Sequence, residues 1–280
     1  MTALFVGVVS HQGSRFSVSQ GPDGLAARLA EALRGHGVDC TVVVCTEDLL
    51  DESRFQLTEA MVQSSLSEQL RLDRRWTAFL RRPQGPGWWA HHAARWGRRS
   101  TQRVRSPGPG MVRRLLNIEL AHLRLLGEGA RSAADWVLIL EDDAGCTDVA
   151  DAAAGLAGII QAPGAQPEFV NVSQSFSLAQ LGIVHLLTPA DGHWAGTQDR
   201  SLLQSAVPVT NTVCAIAYRA AFAGRLLEVM EALPLEPVVP IDWKLNLALM
   251  AMADSGELTA GDCWLVDPAP IDQLSMQPQG

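Results

Sequence analysis

The runs Ala3 to Ser10 and Trp136 to Leu140 are almost unbroken stretches of apolar residues, each bounded by turn-forming or charged positions, and both read as β-strands. A strand with one wet face alternates apolar and polar residues. A run such as Phe5-Val6-Gly7-Val8-Val9 has no alternation and must be covered on both faces, so the chain needs a sheet with helices on either side. The residues after the first run supply such a cover. Gly13, Pro22 and Gly24 open a loop, Leu25, Leu29 and Leu33 recur at helical spacing, Gly35 and Gly37 stop the helix, and Val38 to Cys45 is a second apolar run. Strand, loop, helix, strand is a parallel crossover unit. The same logic predicts helices over Met111 to Gly127, Asp148 to Ile160, Ala221 to Leu233 and Ile241 to Asp254. Strands are expected at Asp135 to Leu140, near Phe169 and Ile183, at Thr212 to Tyr218 and at Cys263 to Val266. Continued alternation of the two types predicts one Rossmann-type α/β domain over residues 1–280.

One segment departs from this pattern. Between Arg71 and Arg114 lie 12 of the chain's 21 arginines with a single acid, Asp73, a net +11 that leaves −19 on the remaining residues. Trp76, Trp88, Trp89 and Trp96 share the segment, and Gly85-Pro86-Gly87 and Pro107-Gly108-Pro109-Gly110 break it. It reads as a basic, Trp-rich insertion or flap on an acidic body. Two bland readings stand beside that one: ion pairs with the acidic body, and tryptophans that pack the insertion onto the core. The same composition would also suit peripheral membrane contact or a polyanion, where bases stack on indoles and arginines meet phosphates. The overall charge of −8 argues against a bulk nucleic-acid binder. Cys40, Cys45, Cys146, Cys214 and Cys263 form no Cys-x-x-Cys pair and read as reduced core residues. The absence of a basic leader before Met1 to Ser10, and of any apolar run near the roughly 18 residues of a membrane span, sets the expectation of a cytoplasmic protein.

The feature with the most chemistry is the end of the Trp136 to Leu140 run, where Glu141, Asp142 and Asp143 follow one another. Open α/β sheets bind their ligands at the carboxyl ends of the strands. Three carboxylates there repel one another unless a cation neutralises them, and oxygen clusters suit a hard ion such as Mg²⁺ or Mn²⁺. Glu141 and Asp143 are the candidate metal ligands, and Asp142 is placed on the cofactor. A solvated strand end with a helix-capping Asp is the competing reading, and both readings take this edge to face solvent.

Leu138-Ile139-Leu140-Glu141-Asp142-Asp143 resembles the acidic motif of GT-A-fold glycosyltransferases, in particular glycosyltransferase family 25 of the lipopolysaccharide type. Three other stretches resemble that family in the same order: Glu119-Leu120-Ala121-His122-Leu123, Ala215 to Phe222, and Pro240-Ile241-Asp242. The family's first strand runs into Asn-Leu and an Arg-rich turn, whereas this chain has Val9 to Phe16. The basic insertion matches nothing in the family. The resemblance implies a GT-A-like mixed sheet and a transferase that moves a sugar from a nucleotide diphosphate sugar to the hydroxyl of a small-molecule or glycan acceptor. It also implies a divalent cation and inversion at the anomeric carbon. An inverting enzyme needs a carboxylate to take the acceptor's proton. Asp242 is the candidate base, against the reading of an acid that stabilises a helix N-terminus.

Ser10, His11 and Arg15 follow the first strand and could cradle a diphosphate or ribose, or form a plain polar loop. Thr46 and Asp48 follow the second strand, where a GT-A fold would contact base and ribose; they could equally cap the next helix. Asn211 is placed on the sugar or in a turn. His122 lies in line with Leu115, Ile118 and Leu125 and is either a core histidine or a ligand, with Glu119, three residues before it, as its expected partner. The function expected is that of the transferase. The alternatives are a nucleic-acid or polyanion-binding protein and a metal-dependent nuclease or phosphohydrolase.

Overall fold

The computed structural model describes residues 1–11, 24–50, 109–163, 166–175, 178, 183–206, 210, 212–233 and 240–276. Arg15, Asn211 and residues 71–108 of the basic segment, with its four tryptophans, lie outside them.

The first strand, β1 (Thr2–Val9), is buried along six consecutive residues, as a strand without alternation requires. Helix α1 (Leu25–Gly35) carries the chain to β2 (Val38–Cys45), which pairs in parallel with β1 from Thr2↔Val38 to Val9↔Cys45. Helix α2 (Pro109–Arg131) leads to β3 (Trp136–Glu141), parallel to β1 on its other side. A two-residue strand, β4 (Ala144–Gly145), precedes α3 (Val149–Ile160), whose N-cap Asp148 accepts a hydrogen bond from the Asp151 N–H at 2.9 Å. Then come β5 (Phe169–Asn171), β6 (Ser173–Gln174), β7 (Leu187–Pro189), β8 (Ser201–Ser205) and β9 (Ala215–Arg219). Helices α4 (Ala220–Ala232) and α5 (Ile241–Asp254), and strands β10 (Cys263–Asp267) and β11 (Ile271–Gln273), complete the order.

Eight strands form one sheet in the order β2-β1-β3-β9-β5-β10-β8-β7, and β4-β11-β6 form a second, small one. The large sheet is mixed: β9 runs antiparallel to both neighbours, β3 and β5, while β10 is parallel to β5 and antiparallel to β8. Alternate residues of each strand feed two cores. Leu4, Val6, Val8, Leu138 and Leu140 face α1 and α3. Phe5, Val9, Val137, Ile139, Phe169 and Ile216 face α2, α4 and α5. The expected mixed α/β architecture with helices on both faces is therefore present. Near Ile183 the expected strand is instead a 3-10 turn, Val184–Leu186, followed by β7, because the chain must turn there to lay β7 against β8. No helix among the described residues is long and apolar enough to cross a membrane.

Residues 191–200 are pinned to α3 by one buried acid. Asp151 Oδ1 accepts from the Gln198 N–H at 2.8 Å and the Trp194 indole at 3.4 Å, and Oδ2 accepts from Arg200 Nε at 2.8 Å. The Trp194 ring then lies so close to Gly155 that an added Cβ would stand 2.1 Å from it. Gly155→Ala is expected to lower stability by about 1–3 kcal/mol, the usual effect of forcing a methyl group into a filled core. Gly35→Ala, where an added Cβ meets nothing within 4 Å, is the matched control and should be neutral or slightly stabilising. Thermal melts of the two variants check this, and an unchanged midpoint for Gly155→Ala would show that the tryptophan is not seated there.

Candidate functional site

Parallel pairing brings the carboxyl ends of β1 and β3 to the same edge, and the antiparallel β9 brings its beginning there too. Ser10 and His11 leave β1, Glu141 ends β3, and Thr212 to Cys214 enter β9. A backbone bond from Glu141 N–H to Cys214 C=O at 2.8 Å fixes the last two beside each other. The small sheet adds a fourth wall, since β11 pairs Gln273 with Ala144 and the Leu274 N–H donates to the Asp143 carbonyl at 2.9 Å.

The three consecutive carboxylates diverge to different partners. Glu141 lies 3.3 Å from His122 Nε2 and accepts from Gln273 Nε2 at 3.4 Å. Gln273 is oriented in turn by the hydroxyls of Ser175 and Thr212, both of which donate to its Oε1. Asp142 accepts from Ser10 Oγ at 3.4 Å and stands 3.6 Å from His11 Nδ1. Asp143 accepts from Ser275 Oγ at 2.5 Å and from the Cys214 thiol at 3.8 Å. It is only 6% exposed, so at Asp143 the expectation that this edge faces solvent is not met; β11 and the residues after it cover it.

One donor atom each from Glu141, Asp143 and Cys214 lies within 4.8 Å of the others, close enough for a single metal ion. The two carboxylates suit a hard cation, while the thiol is a softer donor. Burial first, and the Glu141 and Asp143 charges second, hold that thiol well above its ordinary pKa of 9.0, so without a cation it is protonated.

Two cavities open at this edge. One, of about 160 Å³, has Glu141, Asp142, Asp143, Gln273 and Ser275 in its wall. The other, of about 230 Å³, reaches Thr46, Asp48, Arg113 and Asn117 beyond the end of β2. Thr46 and Asp48 line this second cavity, and Asp48 is ion-paired to Arg113, whose guanidinium holds the Asp48 carboxyl below its ordinary range.

Behind the acids, Lys244, the chain's single lysine, donates to Glu119 Oε2 at 2.6 Å, with both side chains buried. Glu119 therefore pairs with Lys244 and not with His122, as the three-residue spacing suggested. A buried ammonium demands a counter-charge, and the crossing of α2 and α5 provides Glu119, leaving His122 for Glu141. Asp242 sits in the first turn of α5, partly buried, and lines neither cavity. Burial, and then the Glu141 charge, raise its carboxyl from 3.8 to about 6, although the N–H groups of Trp243 and Asp242 favour its ionised form.

Cys214, Ser175, Gln273 and Ser275 were not anticipated as site residues. Cys214 sits at the start of a strand whose antiparallel direction alone sends it to this edge, and the last three belong to segments with no periodic signal. No family model matches the sequence, and no curated protein matches it.

Two outcomes follow. A folded-state carboxyl at about 6 against 3.8 unfolded means the native state holds more protons between those values, so Asp242 lowers stability as pH rises from 4 to 6. Asp242→Asn mimics the protonated acid and should gain stability relative to the parent over that window, by up to about 3 kcal/mol, with no gain at pH 4. Melting midpoints of both proteins from pH 4 to 7 test the sign. Lys244→Met strands Glu119 without a counter-charge and should cost about 3–5 kcal/mol, whereas adding Glu119→Gln should recover much of it. A denaturant-based double-mutant cycle that shows additivity would rule out the pair.

Proposed function

We propose that the protein is a divalent-cation-dependent glycosyltransferase of the GT-A type, which transfers a sugar from a nucleotide diphosphate sugar to an acceptor hydroxyl. The observation that carries this reading is the Glu141–Asp143 pair at the carboxyl end of β3, opening into a cleft that continues to the end of β2. A cation held there, Mn²⁺ or Mg²⁺, supplies neutralisation of the charge that builds on the leaving diphosphate. The pattern of motifs along the chain supports the same class, from the acidic strand end to Pro240-Ile241-Asp242.

In this reading Glu141 and Asp143 are the cation's carboxylate ligands. His122 and Gln273 hold the Glu141 carboxylate, one at each oxygen, and Ser275 holds that of Asp143, which fixes ligand orientation. Ser10 and His11, beside Asp142, lie between the acids and the wider cavity and face the donor. Asp242 is the base of an inverting transfer, and a carboxyl raised to about 6 is tuned toward that task. Because it lines neither cavity, this role requires the acceptor to enter beside the first turn of α5. The arginines of the basic segment that precede α2 would then meet an anionic or aromatic acceptor or a membrane surface, and nucleic acid is not the expected partner.

The test is release of nucleoside diphosphate from a panel of nucleotide sugars with Mn²⁺ and with chelator. Turnover should require the cation and should fall by about a hundredfold or more in Asp143→Asn, with the melting midpoint nearly unchanged because Asn keeps an acceptor for Ser275. Cation-dependent hydrolysis of phosphate esters or nucleic acid with no turnover of any nucleotide sugar would replace this reading with that of a phosphohydrolase.

A further inference from the structure

The two cavities share four lining residues: Ser10 and His11 from the end of β1, and Arg114 and Ile118 from α2. They form a seam. Positions 114, 118 and 122 are spaced four apart on one helix and lie on one face, and the last of them, His122, reaches Glu141. That stripe of α2 therefore passes from the end of β3 out over the cavities, with Arg114 where they meet.

The charges along the cleft are unevenly satisfied. Arg113 is committed to Asp48. Arg124 is committed to Glu47 and Glu128. Arg114 has neither ion pair nor hydrogen bond among the described residues, although it shares a cavity with Glu141, Asp142 and Asp143. Those carboxylates are already turned toward Ser10, His11, His122, Gln273, Ser275 and Cys214. An arginine fork left open in a cleft, opposite acids that a cation would engage, is suited to planar, bidentate binding of phosphate oxygens.

We infer that Arg114 binds the diphosphate of the ligand at the seam between the two cavities. This deepens the transferase reading and rests on it. Arg114 supplies positive charge for the diphosphate across the cavity from the carboxylates that would hold a cation, which offsets the field of three acids.

The test measures affinities of UDP, GDP, ADP, CDP and inorganic pyrophosphate in the presence of Mn²⁺, together with Mn²⁺ alone and the four nucleosides. The full-length protein is compared with Arg114→Ala and with Arg225→Ala, whose arginine pairs with Glu168 at the opposite edge of the sheet. The expected result is a loss of about ten- to a hundredfold in affinity for the preferred nucleoside diphosphate and for pyrophosphate in Arg114→Ala alone, with Mn²⁺ and nucleoside affinities unchanged. Equal nucleoside diphosphate affinity in Arg114→Ala and parent overturns the assignment of Arg114 and leaves the transferase reading standing. Weakened Mn²⁺ binding to Arg114→Ala without added phosphate also overturns it, because that points to a distorted cleft. A parent protein that binds none of the diphosphates with Mn²⁺ overturns both readings.

Discussion

Mutual repulsion among three adjacent carboxylates is the constraint around which this edge of the sheet is built. Unit charges about 4 Å apart in a protein-like dielectric repel by about 4 kcal/mol, so Glu141, Asp142 and Asp143 could not remain side by side without compensation. The chain disperses them. Glu141 turns toward α2 and β11, Asp142 toward the end of β1, and Asp143 toward β9 and the residues after β11. Each direction is served by a different element, and so four separate parts of the sequence must converge on one edge. Neutral donors perform most of this work, and they reduce the repulsion without cancelling the charge.

The antiparallel strand β9 makes that convergence possible. A parallel strand in its place would present its end at this edge and send its beginning to the other side. Running the opposite way between β3 and β5, β9 delivers Thr212 to Cys214 beside Glu141. Asn171, at the end of β5, closes the arrangement from below: its amide donates to the Thr212 carbonyl at 3.2 Å while its oxygen accepts from the Ser173 N–H at 3.0 Å. Ser173 bridges onward to both the carbonyl and the N–H of Ala215. Buried polar side chains with their bonds satisfied in this way hold a backbone in one register, and this register sets where the Cys214 thiol lies relative to Asp143.

The large elements were legible in the sequence because they rest on burial, which leaves a period. β1, β3, α1, α3 and α5 appear close to where apolar spacing and glycine breaks place them. The acidic strand end was legible for the same reason, since a buried strand has only one direction in which to deliver polar residues. The rest depends on contacts between segments distant in sequence. β4, β6 and β11 are two or three residues long, too short to carry a period, yet they bring Gln273 and Ser275 to the acids. The Glu119 partner was misread because a helix-spacing rule sees only neighbours on the same helix, and Lys244 arrives from another. Cys214 looked like any small core residue, and its place in the cluster depends on strand direction, which composition does not encode.

The buried Glu119–Lys244 pair bears on the electrostatics of the cleft more than on stability, since buried ion pairs are weak contributors to net stability. By binding Glu119, the only lysine in the chain is withheld from the acids. Arg113 is likewise withheld by Asp48. What remains around the smaller cavity is three carboxylates against one open guanidinium, Arg114. Such a field repels a bare phosphate or a nucleic-acid backbone and attracts a small cation. An anionic ligand can therefore settle next to these acids only together with a cation, and this coupling separates a metal-assisted enzyme from a simple binder of polyanions. The internal ion pairs bear on that coupling, because a lysine or arginine freed from its partner could neutralise the carboxylates in place of a cation.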